Sequence, residues 1–368
     1  MRTGLSHGQT LPGVGAPSVV PGLLLCFGLA ILGMLLSHFI GINLMDMTKS
    51  PVSPTVIAIL FGIGLRNFTA IPESFEAGIN YSINVVLKVG IALLGIRLSF
   101  GMVADVGVSA VPIVVACIVS ALLVVTALTR WLGVSARLGA LIAVGTSICG
   151  ATAIAAAAPC IKAKSQEVCY AIACVSLFGL IGMLAYPFFA SWAFGGSSLK
   201  SGLFLGTAIH DTAQVIGAGL AYEQVFGDPD ALNTATVTKL VRNLFMLMVI
   251  PALTIAFRGG EDGACWKSSV RRAIPLFIIA FVGFSVLRTA GDAWVPAFGE
   301  GAASLWTAGV GYTQQLAVLC LTVAMAAVGL STRFSLIRNL GMMPFTMGVT
   351  AAAIVGVVSY VLIQVLVA

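Results

Sequence analysis

Charge is scarce in this chain. Only 9% of its 368 residues are Asp, Glu, Lys or Arg, whereas soluble domains carry about a quarter. Hydrophobic residues make up 59% of the chain, and the mean hydropathy is +1.07. These values exclude a soluble globular protein and predict a chain embedded in a lipid bilayer. The net charge of +6 does not indicate nucleic-acid binding, because most basic residues stand in short loops between apolar runs.

The sequence also lacks the patterns of metal centres and hydrolytic sites. Its eight cysteines form no CxxC pair and have no histidine spacing suited to zinc. There is no HExxH motif, no pair of acids within an apolar run, and no serine with a suitable base. We therefore expect no cofactor, no bound metal and no enzymatic activity.

Long apolar runs recur eleven times, and each is long enough to cross, or nearly cross, about 30 Å of hydrocarbon. The predicted fold is an all-α polytopic membrane protein, with a mobile tail over residues 1–18 and a single transmembrane domain over residues 19–368. The second run is short enough to be re-entrant or a half-helix. The predicted segments are 19–42, 53–66, 80–97, 106–129, 136–159, 168–194, 200–222, 234–257, 273–290, 303–331 and 344–367.

Loop charge predicts the orientation of these segments. If the N-terminus is cytoplasmic, eleven loop cations fall inside and five fall outside, as the positive-inside rule requires. The sequence therefore predicts a multi-pass protein of the inner (plasma) membrane with a cytoplasmic N-terminus. Lys162 and Lys164, which follow segment five, are an exception because they fall outside.

Two pairs of similar runs occur within the chain. Residues 92–100 end the third segment, residues 326–334 end the tenth, and the two segments are predicted to run in opposite directions. This pair predicts an inverted-topology repeat, as in many secondary transporters. Residues 145–148 and 206–209 are also similar, but the predicted topology gives them the same direction. We therefore interpret them as two similar pore-lining helices and not as an inverted pair.

Segment five contains a predicted helix break. Gly145 and Gly150 bracket the hydroxyls of Thr146 and Ser147, and each glycine lowers helix stability by about 1 kcal/mol relative to alanine. A break would give the second half-helix a positively polarised N-terminus, which is a site for an anion. We therefore assign Thr146, Ser147 and Gly150 to substrate binding. The alternative is that these small residues only permit close helix packing.

Segment seven carries ionisable residues within an apolar run. On a helix, Thr207, His210, Asp211 and Gln214 would lie on one face. Ionisable groups in hydrocarbon cost a few kcal/mol or more and normally face a bundle interior or a watery cavity. We predict that Asp211 carries a coupling proton or cation, that His210, with an ordinary pKa of about 6.5, exchanges a proton, and that Gln214 binds substrate. The alternative is an internal pair that ties helices together.

Segment eight contributes two cations, Lys239 and Arg242, one helical turn apart. Two cations against one acid leave a net positive site, which suits an anionic substrate that Arg242 would bind with two parallel hydrogen bonds. An ion pair with Asp211 and extension towards the outer interface are the alternatives. Lys88 in segment three has no acid or second cation beside it on its helix, so we rank it below Lys239 and Arg242.

Five runs together resemble the YeiH-like family of bacterial inner-membrane proteins, also called sulfate exporters. The resemblance implies a transporter related to the bile-acid/sodium symporters and sodium/proton antiporters, with inverted repeats, crossed broken helices, and core and panel domains. Where the family often has glutamate after the histidine, this chain has Asp211. The runs are residues 54–62, 90–98, 145–154, 210–215 and 239–242. The functional positions implied are Thr146, Ser147, Gly150, His210, Asp211, Gln214, Lys239 and Arg242.

We therefore expect a secondary active transporter that exports a small oxyanion, such as sulfate or a related sulfur anion, by alternating access. Its partners would be the anionic solute, a coupling proton or cation and the lipid bilayer, and its small-residue helix faces permit a homodimer. A cation/proton antiporter, in which Asp211 binds the ion and Lys239 competes with it, is the main alternative. An intramembrane enzyme and a passive channel rank lower.

Overall fold

The computed structural model describes residues 18–44, 50, 52–258, 276–335 and 342–367. Every regular element in these ranges is helical, which confirms the predicted all-α polytopic membrane fold. The predicted tail, residues 1–18, lies outside the described residues apart from Ser18. Within the described ranges, eight helical stretches are long and apolar enough to cross a membrane: Val20–Asn43, Glu73–Arg97, Phe100–Trp131, Ser165–Ala193, Pro229–Phe257, Leu276–Phe298, Glu300–Ser331 and Met342–Leu366.

The α-helices are numbered here in chain order. They are α1 Val20–Phe39, α2 Pro54–Phe68, α3 Glu76–Tyr81, α4 Leu87–Leu94, α5 Phe100–Trp131, α6 Ala136–Ser147, α7 Ala151–Ala157, α8 Ser165–Ala193, α9 Ser198–Ala208, α10 Thr212–Phe226, α11 Pro229–Leu244, α12 Met246–Arg258, α13 Leu276–Trp294, α14 Glu300–Ser331 and α15 Met342–Leu366. Short π- and 3₁₀-helical turns join α3 and α4 into one rod over Glu73–Arg97.

Three predicted segments are not long helices. Segment 53–66 is α2, with 15 residues. Segment 136–159 divides into α6 and α7, which confirms the predicted break. Segment 200–222 divides into α9 and α10, so Thr207, which lies before the break, does not share a continuous helix face with Gln214. The prediction that they line one face is wrong, because Asp211 adopts an extended backbone conformation and caps a new helix.

The helices pack as two bundles. In the first bundle, α14 packs on α1, α2 and α4, and α13 packs on α4. In the second bundle, α11 packs on α5, α9 and α10, while α8 packs on α6, α10 and α15. The bundles meet where α10 contacts α2 and α14, and where α13 contacts α5. This arrangement places α10 at the boundary between the bundles.

Candidate functional site at two re-entrant hairpins

The first helix pair, α6 and α7, turns back on itself. Gly150 begins α7 with φ 70° and ψ −131°, a conformation that only glycine adopts without strain. A Cβ on Gly145 would lie 2.7 Å from Cδ1 of Ile154, so α7 folds back beside α6. Ser135, which caps α6, donates a hydrogen bond to Glu167 in the first turn of α8. Helices α6 and α8 therefore start at the same face of the membrane. Residues 136–157 leave that face and return to it, so they form a re-entrant hairpin, called hairpin 1.

The second helix pair, α9 and α10, also returns to its starting face. The hydroxyls of Ser201, near the start of α9, and Tyr222, near the end of α10, lie 3.2 Å apart. Helix α9 runs parallel to α11: a Cβ on Gly202 would lie 2.4 Å from Cβ of Thr234, and a Cβ on Gly206 would lie 2.6 Å from Cβ of Thr238. Since α9 and α11 start at the same face, residues 198–226 form hairpin 2.

The hairpins enter from opposite faces, because α8 separates them. This helix has 29 residues and at 1.5 Å per residue extends about 43 Å, enough to cross the membrane. Hairpin 1 enters beside the start of α8, at the hairpin-1 face. Hairpin 2 enters beside the end of α8, at the hairpin-2 face, where Ser201 donates to the Ala190 carbonyl at 3.5 Å.

This geometry corrects two expectations. Segments 136–159 and 200–222 were each predicted to cross the membrane, but both are re-entrant. Residues 145–148 and 206–209, predicted to run in the same direction, therefore run in opposite directions from opposite faces. They are the corresponding ends of two inverted hairpins. The prediction was wrong because it treated every apolar run as a crossing.

The tips of the hairpins meet beside the middle of α8. A Cβ on Gly150 would lie 2.7 Å from Oδ2 of Asp211, so the break in hairpin 1 touches the break in hairpin 2. Oδ1 of Asp211 accepts a hydrogen bond from the Ala213 amide at 2.8 Å and caps α10. Nε2 of Gln214 donates to the Ser176 carbonyl of α8 at 2.9 Å. These contacts hold one carboxylate at the junction, near mid-membrane.

Lys239 connects the two breaks from behind. Its ammonium donates to the carbonyls of Ile148 at 3.0 Å, Ile209 at 3.1 Å and His210. An ammonium has three donors, so all of them bond the backbone. The side chain is 0% exposed and lies near the middle of the Pro229–Phe257 span.

Arg242 makes the same kind of connection one turn further along α11. Its Nε donates to the Ser147 carbonyl at 2.7 Å. One terminal nitrogen donates to the carbonyls of Thr207 at 2.6 Å and Ile209 at 3.1 Å, and the other donates to Thr146. Arg242 is also 0% exposed.

The two cations satisfy groups that would otherwise be unpaired. The last carbonyls of a helix have no partner within that helix, and they carry its partial negative charge. In hydrocarbon there is no water to bond them, and each unsatisfied group costs several kcal/mol. Lys239 and Arg242 bond carbonyls at the ends of both α6 and α9, so they stabilise both hairpins in the membrane.

The hydroxyls predicted to bind substrate face their own helix. Thr146 donates to the Ile142 carbonyl at 2.8 Å and Ser147 to the Val144 carbonyl at 3.3 Å, and both are buried. The imidazole of His210 is buried as well, and its Nδ1 has no hydrogen-bond partner within the described ranges. The structure thus brings the backbone carbonyls of these residues, not their side chains, to the two cations.

Two cavities reach the junction of the tips. They have volumes of about 410 and 520 Å³, and Ala151, Asp211 and Ala213 line both. The smaller cavity extends along the first half of α8 to Thr332 and Arg333 at the end of α14. The larger lies against the α3–α4 rod. Asp211 is the one acidic residue lining either cavity in the described part of the chain.

Both cavities lie on the hairpin-1 side of the junction. Glu73–Arg97 and Phe100–Trp131 cross in succession, so Glu76 lies at the hairpin-1 face, where its carboxylate bonds Arg66 and Arg333. At the hairpin-2 face the bundles are joined instead. Arg97 donates two hydrogen bonds of 2.8 Å to Glu223 at the end of α10, and Ser53 donates to Gln224. Among the described residues, the two cavities therefore reach the junction from the hairpin-1 side, and these contacts join the bundles at the hairpin-2 face.

The first pair of similar runs ends at opposite faces, as predicted. Arg97, in residues 92–100, lies at the hairpin-2 face, and Arg333, in residues 326–334, lies at the hairpin-1 face. Both runs contain a tightly packed glycine. A Cβ on Gly95 would lie 2.1 Å from the Phe281 carbonyl oxygen of α13, and one on Gly329 would lie 2.3 Å from that of Ile59 in α2. In each run a glycine therefore lets its helix approach the backbone of a neighbouring helix.

Lys88, which the sequence ranks below Lys239 and Arg242, lies at a cavity wall in the structure. It lines the larger cavity together with Asp211, although the two lie on different bundles. Its position inside an apolar run was the available signal. The nearby groups come from other helices, so inspection of its own helix could not find them.

Comparison of the sequence with known proteins identifies the family of this chain. Residues 21–348, which include both hairpins and α11, match the model described as "Conserved hypothetical protein 698". The chain belongs to this family.

Similar relatives carry the name "UPF0324 membrane protein". One from Nitratidesulfovibrio vulgaris is 30% identical, over 91% of this chain and 90% of the relative. One from Bacillus cereus is 33% identical, over 84% and 86% respectively, and one from Haemophilus influenzae is 32% identical, over 81% and 84%. These names agree with the helical membrane fold of this member of the Conserved hypothetical protein 698 family.

Proposed function

We propose that this protein is a secondary active transporter that exports a small oxyanion, such as sulfate or a related sulfur anion, across the inner membrane by alternating access. The observation that supports it best is the junction of the hairpin tips, which two cavities reach from the hairpin-1 side while Arg97 and Glu223 join the bundles at the other face. Transporters with inverted repeats bind substrate near the bilayer midplane and move one bundle against the other.

The hairpin-1 face is cytoplasmic in this proposal. With re-entrant hairpins in place of crossing segments, Lys162 and Lys164 lie at the same face as Arg137. Lys200 then lies at the opposite face. Twelve loop cations then fall inside and four outside, a stronger bias than the eleven and five of the crossing topology. The described conformation is inward-facing, with the pair of Arg97 and Glu223 at the outer side.

Asp211 is the coupling residue. An ionised carboxylate at the junction repels an anion in the same cavity, and protonation removes this repulsion. A proton on Asp211 therefore favours anion binding, so the two move together, and export proceeds when the outward anion gradient and the inside-negative potential exceed the opposing proton gradient. Gly150 permits the close contact of the tips, and Gln214 fixes Asp211 against α8. The hairpin ends beside this site are held by Lys239 and Arg242. Arg242 bonds the backbone carbonyls of Thr146 and Ser147.

A cation/proton antiporter is the second candidate. The observation that favours it is the position of Asp211 as the acid that lines both cavities in the described ranges. A carboxylate that lines a cavity can bind a cation or a proton in turn. The two candidates differ in the sign of the transported substrate and can be separated by flux.

The test is exchange of radiolabelled sulfate in proteoliposomes at several pH values, comparing wild type with Asp211→Asn. Trans-sulfate should accelerate exchange, which a channel would not do. Wild-type exchange should depend on pH, and Asp211→Asn should remove that dependence. If exchange in Asp211→Asn still depended on pH, the coupling role would be contradicted. Absence of anion exchange together with Na⁺-driven proton flux would support the antiporter instead.

A further inference from the structure

Seven of the eight N–H donors of Lys239 and Arg242 bond backbone carbonyls, so an anion in the cavities needs a more accessible cation. Both side chains are fully buried, and together they donate seven hydrogen bonds to backbone carbonyls. Releasing either one would leave carbonyls at the hairpin ends unpaired in a water-free interior. Substrate recognition therefore depends on groups that the cavity walls leave accessible.

Lys88 is such a group. It lies within the Glu73–Arg97 span, it is exposed and lines the 520 Å³ cavity, and it forms no hydrogen bond or ion pair with any described residue. An ammonium in the membrane is costly unless it faces water, an anion or a partner charge. Here the cavity supplies the space for a small anion.

Neutral donors surround the same space. Asn84 lies one turn before Lys88 on the α3–α4 rod, and Thr152 and Asn243 line the opposite wall. Asn84 donates one amide hydrogen to the Asn80 carbonyl at 2.9 Å, and Asn243 donates one to the Thr212 hydroxyl at 3.3 Å, so each amide keeps a second N–H for an anion. An ammonium with hydroxyl and amide donors is a suitable set for the oxygen atoms of an oxyanion.

We propose that Lys88 is the cation that binds the transported oxyanion, in a site completed by Asn84, Thr152 and Asn243. This deepens the proposed function and rests on it. Lys88 and Asn84 belong to the first bundle, and Thr152 and Asn243 belong to the second. A bound anion therefore contacts both bundles and stabilises the arrangement in which they approach each other, which links occupancy to the movement that alternating access requires.

Binding is measured separately from flux, by the effect of sulfate on thermal unfolding of the purified full chain. A ligand that binds only the folded state raises the unfolding temperature with concentration. Lys88→Met should weaken apparent sulfate affinity about tenfold or more, as expected for losing a charged hydrogen bond. Lys88→Arg should restore most of that affinity. The matched control, Lys200→Met, removes a lysine at the hairpin-2 face away from both cavities and should bind like wild type.

The outcomes separate this proposal from the transporter proposal. Wild-type affinity in a folded Lys88→Met would overturn the Lys88 site, even if sulfate flux depends on Asp211. Failure of sulfate, thiosulfate and methanesulfonate to stabilise the wild type would overturn it too. Sulfate binding that needs Lys88, without flux in proteoliposomes, would support the site and contradict the transporter.

Discussion

Replacing Arg242 with methionine tests whether this cation supports the hairpins or binds substrate. The change removes four charged hydrogen bonds to carbonyls at the ends of α6 and α9. Such bonds contribute about 1.5–3 kcal/mol each but are not additive when one side chain makes them all. We expect a loss of about 3–5 kcal/mol, as for breaking a buried charge interaction. An unfolding entropy of about 2.1 cal/mol/K per residue gives roughly 1.3 °C per kcal/mol for 368 residues, so the unfolding temperature should fall by roughly 4–7 °C.

Two further variants make this result specific. Arg242→Lys keeps the charge but has three donors in place of the guanidinium's five, so it should lose part of the stability. Arg288→Met is the matched control. Arg288 also lies in an apolar helical span, but it is partly exposed, and its Nε pairs with Oδ2 of Asp292 at 2.5 Å. Its loss should cost less than about 1 kcal/mol.

The assay is thermal unfolding of the purified variants in detergent, first without sulfate and then with it. A support role predicts a large fall in unfolding temperature without any ligand. The reasoning would be refuted if Arg242→Met unfolded at the wild-type temperature and lost only the stabilisation by sulfate. That result would restore Arg242 to the substrate site.

Two other predictions concern the hairpins. Gly150→Ala adds backbone strain of about 1–3 kcal/mol and places a Cβ 2.7 Å from Oδ2 of Asp211, so sulfate exchange should fall about tenfold or more. Gly133→Ala also has positive φ, but with open space, and should exchange normally; equal loss in both would contradict a role for the tip contact. In a background without other cysteines, Lys164→Cys and Lys200→Cys should react with an impermeant maleimide from opposite faces, and labelling from one shared face would contradict the topology.

The membrane fold and the place of the break in segment five could be predicted from sequence. Hydrocarbon requires long apolar helices, and this requirement is visible in composition and run length. Gly150 could be identified because glycine weakens a helix and adopts positive φ. Asp211 could be predicted to face a bundle interior or a cavity, because an acid in an apolar run is costly. Each of these signals belongs to a residue and its immediate neighbours along the chain.

The direction of the chain after each break was decided by tertiary structure. A re-entrant hairpin and a crossing helix bury apolar runs of similar length, so hydropathy cannot distinguish them. The contacts that do distinguish them join residues distant in sequence, such as Ser135 with Glu167 and Ser201 with Tyr222. The excess of Lys162 and Lys164 on the predicted outer face was the one sequence signal of the re-entrant path.

The roles of the three buried or cavity-lining cations also depended on tertiary structure. Lys239 and Arg242 bond backbone carbonyls, and every residue has one, so no side-chain pattern could reveal these partners. Lys88 faces groups from the other bundle, which no inspection of its own helix could supply. The sequence determined which charges enter the membrane, because their placement there is costly. Only packing decided which of them are consumed by the fold and which remain available to a ligand.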